Sequence, residues 1–162
     1  MHCSRCAVLT VGIDPGLTGA FAVLGAGGAL VTVADLPIMR DRKLGWIDAE
    51  AFSSTLFGIA NGERMQVTVE RVHAMPRNGS QAAFSQGCTL GSVLAALQLV
   101  RARIELVQPA AWKKALGLSS DKSASLDKAR LLYPLASLDR KKDHNRAEAL
   151  LIAHYAQSRR AA

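Results

Sequence analysis

Val8-Leu9-Thr10-Val11-Gly12-Ile13-Asp14-Pro15-Gly16-Leu17-Thr18-Gly19-Ala20-Phe21-Ala22-Val23-Leu24 sets the architecture of this chain. Two apolar runs flank a Pro- and Gly-containing turn, the pattern of a β-hairpin. Asp14 closes the first run. A carboxylate held at a strand end loses water and needs a cation or donors in return. The ordinary alternative is a turn aspartate that bonds its own backbone, so the remaining acids must decide.

Working outward, residues 29–34 read as a third strand, set off by Gly25-Ala26-Gly27-Gly28. Arg40-Asp41-Arg42-Lys43 reads as a charged loop. Asp48 is the expected N-cap of a helix through Phe52, Leu56 and Ile59 that Asn61-Gly62 stops. Met65-Gln66-Val67-Thr68-Val69 alternates like a strand and ends in Glu70, a second acid in the situation of the first. A long helix is expected from Ser80 to residue 100, where Gly87, Gly91, Ala95 and Ala96 permit close packing. A strand over 104–107, a turn or short helix from Pro109 to near Gly117, and helices over 121–132 and 143–158 complete the chain. The helix before the fourth strand is long enough for a crossover, so that strand can lie parallel to the first. Asp14 and Glu70 then stand side by side. Like charges so placed repel, and a divalent cation between them is the economical remedy.

With 162 residues, 49% of them hydrophobic, the chain is expected to form one domain over 1–162, with 1–7 a frayed extension. Residues 1–100 hold 7 Lys and Arg against 7 Asp and Glu, whereas 101–162 hold 13 against 6. The whole excess of positive charge is therefore in the last third, as expected of a nucleic-acid-binding face; solvated helix charge is the plainer alternative. Cys3, Cys6 and Cys88 are an odd number, and Cys3-Ser4-Arg5-Cys6 with His2 lacks the second pair of a structural zinc site. No secretory h-region and no uninterrupted bilayer-length apolar stretch is evident, so a soluble, cytoplasmic protein is expected.

Lys141-Lys142-Asp143-His144-Asn145-Arg146-Ala147-Glu148-Ala149-Leu150-Leu151-Ile152-Ala153 opens the last helix. Glu148 is an acid among apolar neighbours. His144, four residues earlier, shares its face, whereas Asp143, five earlier, reaches the same place only from a non-helical start and otherwise caps the helix.

Three segments taken in order, Ile13 to Ala20, Val69-Glu70-Arg71-Val72 and Asp143 to Ala153, resemble the RuvC family of Holliday junction resolvases, in particular its phage and prophage branch. The resemblance runs over about residues 8–156 and implies a ribonuclease H-like α/β fold, with a five-stranded mixed sheet of three antiparallel strands then two parallel ones, flanked by helices. It implies that Asp14, Glu70 and Glu148 are catalytic metal ligands. The fourth ligand stays open among His144, Asp143 and water, because Asn145 stands where the family often has an acid. The implied cofactor is Mg²⁺, with Mn²⁺ able to substitute, two ions per site, suited to carboxylate and phosphate oxygens. The implied products are nicks with a 5′ phosphate and a 3′ hydroxyl.

The implied partner is four-way or other branched DNA, held by phosphate contacts from Arg71, His73, Arg77, Lys113, Lys114, Lys122, Lys141, Lys142 and Arg146, with Lys128 and Arg130 nearby. The segment 72–80, with His73, Met75 and Pro76, resembles the one that the family directs into the junction centre. The helix over 80–100 is where the family forms homodimers. Two rivals remain: a branched-DNA-binding module that does not cut, and an actin-like phosphate-binding kinase fragment, for which the second phosphate hairpin is missing.

Overall fold

In the computed structural model, which describes residues 8–42, 44–72, 79–119 and 122–161, the opening hairpin is strand β1, Val8–Asp14, antiparallel to β2, Ala20–Leu24. The turn is tight: Gly19 N–H donates to the Gly16 carbonyl at 2.9 Å. A side chain at Gly19 would strike the Asp14 carbonyl, so glycine is required for the chain to fold back directly beside that acid. Strand β3, Leu30–Asp35, pairs antiparallel with β2. Next come β4, Ile38–Asp41, and β5, Leu44–Ile47, then helix α1, Ala49–Ala60. The Asp48 side chain accepts from Ala51 N–H at 2.9 Å as the N-cap of α1, and Asn61 ends it in the left-handed region. Strand β6, Arg64–Glu70, helix α2, Ser80–Leu99, strand β7, Arg103–Val107, and helices α3, Pro109–Ala115, α4, Lys122–Leu132, and α5, His144–Ala161, follow.

The main sheet has five strands in the order β3-β2-β1-β6-β7, with β6 parallel to β1 and β7 parallel to β6. This is the expected arrangement of three antiparallel strands followed by two parallel ones. Its alternation sorts two cores. Leu9, Val11, Ile13, Met65, Val67 and Val69 point to α1 and α2, where Phe52, Leu56, Val93 and Leu97 are buried. Ala20, Ala22 and Leu24 point to the other face, against Leu150, Leu151 and Ile152 of α5 and against Trp112 and Leu126. Helix α5 crosses β1 at Gly12, where any Cβ would run into the Ala149 carbonyl and the backbone of Ala153.

One expectation needs correction. The charged stretch 40–43 is not simply a loop: Met39 pairs with Trp46 and Arg40 with Gly45, so β4 and β5 form a separate two-stranded hairpin. Its charges sit at the tip, where Arg42 takes φ 51°. The pattern hid it because two short flanks give too little alternation. Helix α2, with no charged residue but interrupted by Gly87 and Gly91, is long and apolar enough to cross a bilayer by length and composition. A core helix meets the same test, and α2 packs against β5 and α1 through a side that buries Thr89, Val93, Ala96 and Leu97.

Candidate active site

Strand register puts Asp14 and Glu70 together. Ile13 pairs with Val69 in the parallel β1–β6 ladder, and each strand ends one residue later, at Asp14 and at Glu70. Both acids thus sit at the carboxyl edge of neighbouring parallel strands, where α/β folds bind ligands. The acid on α5 approaches the same edge. Ala149 and Ala153 rest on Gly12, and the preceding turn of α5 extends toward the end of β1. Asn145, in that turn, donates through its amide nitrogen to the Thr18 carbonyl and, at 3.0 Å, to Thr18 Oγ1. The helix start is therefore tied to the turn that follows Asp14. Glu148, one helical turn in, is a buried acid at 8% exposure.

Helix α3 supplies a partner to two of these acids, Glu70 and Glu148. Pro109 starts it directly after β7, and Trp112, fully buried, donates its indole N–H to Glu70 Oε2 at 2.7 Å. Lys113 donates to Glu148 Oε1 at 2.8 Å, and its ammonium lies 5.1 Å from the centre of the Trp112 ring. One short helix thus orients two acids through two successive side chains. Sequence reading missed Trp112 altogether and gave Lys113 only a phosphate contact. The burial of Trp112 and the acids that it and Lys113 meet are products of the fold, which the local sequence does not show.

Asp143 is used differently. It lies in a 3-10 turn over Lys141–Asp143, and its carboxylate accepts from the Arg140 backbone N–H at 2.8 Å and from the Arg140 guanidinium at 2.9 and 2.6 Å. The Arg140 hydrogen bond holds the Asp143 carboxyl below its usual range. Arg146 makes a bidentate pair with Asp35 at 2.6 and 2.8 Å, which joins α5 to β3 and lowers the Asp35 pKa. His144 is the first residue of α5 and half-buried, in helical phase with Glu148.

The basic residues divide accordingly. Arg71, Lys114 and Lys142 are exposed, whereas Lys113 and Arg146 are taken up by acids and Arg130 caps the Leu138 carbonyl at 2.9 Å. His73 and Arg77, with Met75 and Pro76, lie outside the described residues, as do Cys3 and Cys6; the side chains of Lys122 and Lys141 are likewise not described. Among the described residues, no three of His, Cys, Asp and Glu converge to enclose an ion. Glu70 accepts from Trp112, and Glu148 from Lys113. The donor set still fits a hard divalent cation, since it consists of carboxylate oxygens at one edge, and a cation already stands against Glu148 in the form of the Lys113 ammonium.

This order of strands, with α5 laid across the first of them, defines a ribonuclease H-like fold. The chain is similar to a Thermus thermophilus RuvC solved in complex with Holliday junction substrate, at 22% identity over 96% of each chain and a TM-score of 0.61. A second Thermus thermophilus RuvC structure is similar at 19% identity over 96% of each chain, with a TM-score of 0.57. No protein-family model and no curated protein matches the sequence.

Proposed function

We propose that this chain is a structure-selective, divalent-metal-dependent endonuclease acting on four-way or related branched DNA. The observation that carries the reading is the meeting of Asp14 and Glu70 at adjacent parallel strand ends, on a fold shared with RuvC and beneath a helix bearing buried Glu148. Asp14, Glu70 and Glu148 would hold the ions. Mg²⁺ held by these acids would supply Lewis acidity toward a phosphate oxygen and the attacking water. His144 orients the attacking water or takes its proton. Water oxygen bonds to phosphorus as the bond to the 3′ oxygen breaks, leaving a 5′ phosphate and a 3′ hydroxyl. Trp112 fixes the carboxylate of Glu70, and Lys113 neutralises Glu148 until substrate and ions arrive. Arg71, Lys114 and Lys142 take phosphates outside the centre. The working unit is a homodimer through α2, within the bacterial or phage-infected cytoplasm.

A module that binds branched DNA without cutting is the second reading, favoured by Asn145, whose amide is spent on Thr18. One experiment separates them. A labelled four-way junction, a fork and a linear duplex are incubated with the protein in Mg²⁺ or in EDTA. Cleavage of branched substrates only, in Mg²⁺ only, and its loss in Asp14→Asn, Glu70→Gln and Glu148→Gln with binding retained, is expected. Binding without cleavage in the wild type leaves the second reading, and undiminished cleavage by any of the three variants removes the metal assignment.

A further inference from the structure

We propose that a concavity at the opposite end of the sheet binds a free phosphate-bearing ligand of nucleotide size. It has a volume of about 500 Å³ and is rimmed by Arg64, Arg101, Arg103 and Arg160 over Val8 and Met65. The parallel strands explain the cluster. β1, β6 and β7 all begin at this end, Val8 pairs with Arg64 and Gln66 with Arg103, and alternate residues share a face. Arg64, Gln66 and Arg103 therefore stand together on the side covered by α5. Arg160, from the last turn of that helix, is steadied by a bond to Thr10 Oγ1 at 3.1 Å.

Charge is unbalanced here. Glu63 is the one acid among the lining residues, and Arg64, Arg101 and Arg103 form no ion pair among the described residues. Elsewhere guanidinium groups are consumed: Arg159 by Glu105 at 2.7 Å, Arg146 by Asp35, Arg140 by Asp143.

Guanidinium forks match phosphate oxygens, and the volume lies within the usual range for small-ligand sites. Val8, on the same side as Arg64 and Arg103, offers apolar surface to a base or sugar, which inorganic phosphate would leave uncovered. Six residues of strand, about 20 Å, separate Val8 from Asp14, so this ligand is distinct from a phosphate at the acids, and the inference does not rest on the nuclease reading.

The test is calorimetric titration of the full chain in EDTA, which removes metal-dependent binding at the acids, with AMP, ATP, adenosine, inorganic phosphate and a short linear duplex. AMP and ATP are expected to bind, adenosine not. Arg64→Ala/Arg103→Ala should raise the nucleotide Kd about tenfold or more, with thermal stability and junction cleavage unchanged. Three results overturn the proposal: no nucleotide binding by the wild type, equal binding by the double variant, or weakened duplex binding in that variant without any nucleotide binding. The last would make the cluster a contact for the DNA backbone.

Discussion

Lys113 and Lys114 are adjacent yet differently employed. Lys113 is held by buried Glu148 while Lys114 is exposed. Only a cation free to leave its counterions for phosphate contributes to the salt dependence of DNA binding. Without divalent ions, Lys114→Ala should lower the slope of log K against log salt by about one unit, and Lys113→Ala should leave it near wild type. Lys113→Met should instead lower stability in urea by up to ~3 kcal/mol, because a buried carboxylate loses its cation. Equal slopes for the two alanine variants would show that the Glu148 pair opens on binding. The turn before α5 divides in the same way. Asp143→Ala breaks the Arg140 clamp and should cost about 1.5–3 kcal/mol while sparing cleavage at permissive temperature. His144→Ala should lose most cleavage at nearly unchanged stability, and the reverse pattern would transfer the ligand role to Asp143. Asp14, Glu70 and Glu148 were legible as candidates because an acid closing an apolar strand, or set in an apolar helix, conflicts with its surroundings. Trp112 and Lys113 were not, since their partners are 42 and 35 residues away and only folding names them.

Among the elements, α5 depends most on a single backbone approach. At Gly12 the helix lies so close that an added methyl would meet the Ala149 carbonyl and the Ala153 backbone, with Ala153 Cα at 2.9 Å. Backbone cannot rotate aside as a side chain can. Gly12→Ala should therefore cost ~3 kcal/mol or more, at or beyond the upper end of overpacking, read as a lower denaturation midpoint. Cleavage should fall as well, because α5 carries Glu148. A variant of wild-type stability would show that α5 can shift without loss. The order and direction of the main strands were readable because alternation, a Pro-Gly turn and two crossover helices leave few topologies. Hairpin β4–β5 was not, because its standing depends on non-local packing: Gly45 lies under Leu17, where a Cβ would come within 3.0 Å of that side chain.

At the scale of the whole molecule, α2 presents its outer side without cover. Phe84 and Leu99 are 62% and 70% exposed, and Gly87 and Gly91 have open space where a Cβ would stand. Beside it, a broad concavity of about 690 Å³ runs between β5 and α2, lined by Leu44, Trp46, Cys88, Gly91 and Ala95. A second copy of α2 would cover such a surface about a two-fold axis, and two centres so related suit symmetric cutting of two strands. Gly91→Glu should yield a monomer in sedimentation velocity, with junction nicks no longer paired. A monomeric wild type would exclude this interface. The three acids also enter the chain far apart, at 14, 70 and 148, and the last comes on the final described element. On the proposed function, a nascent chain still on the ribosome carries Asp14 and Glu70 but cannot cut. Cutting has to wait until Glu148 has been translated, so products terminated before that residue are harmless to DNA.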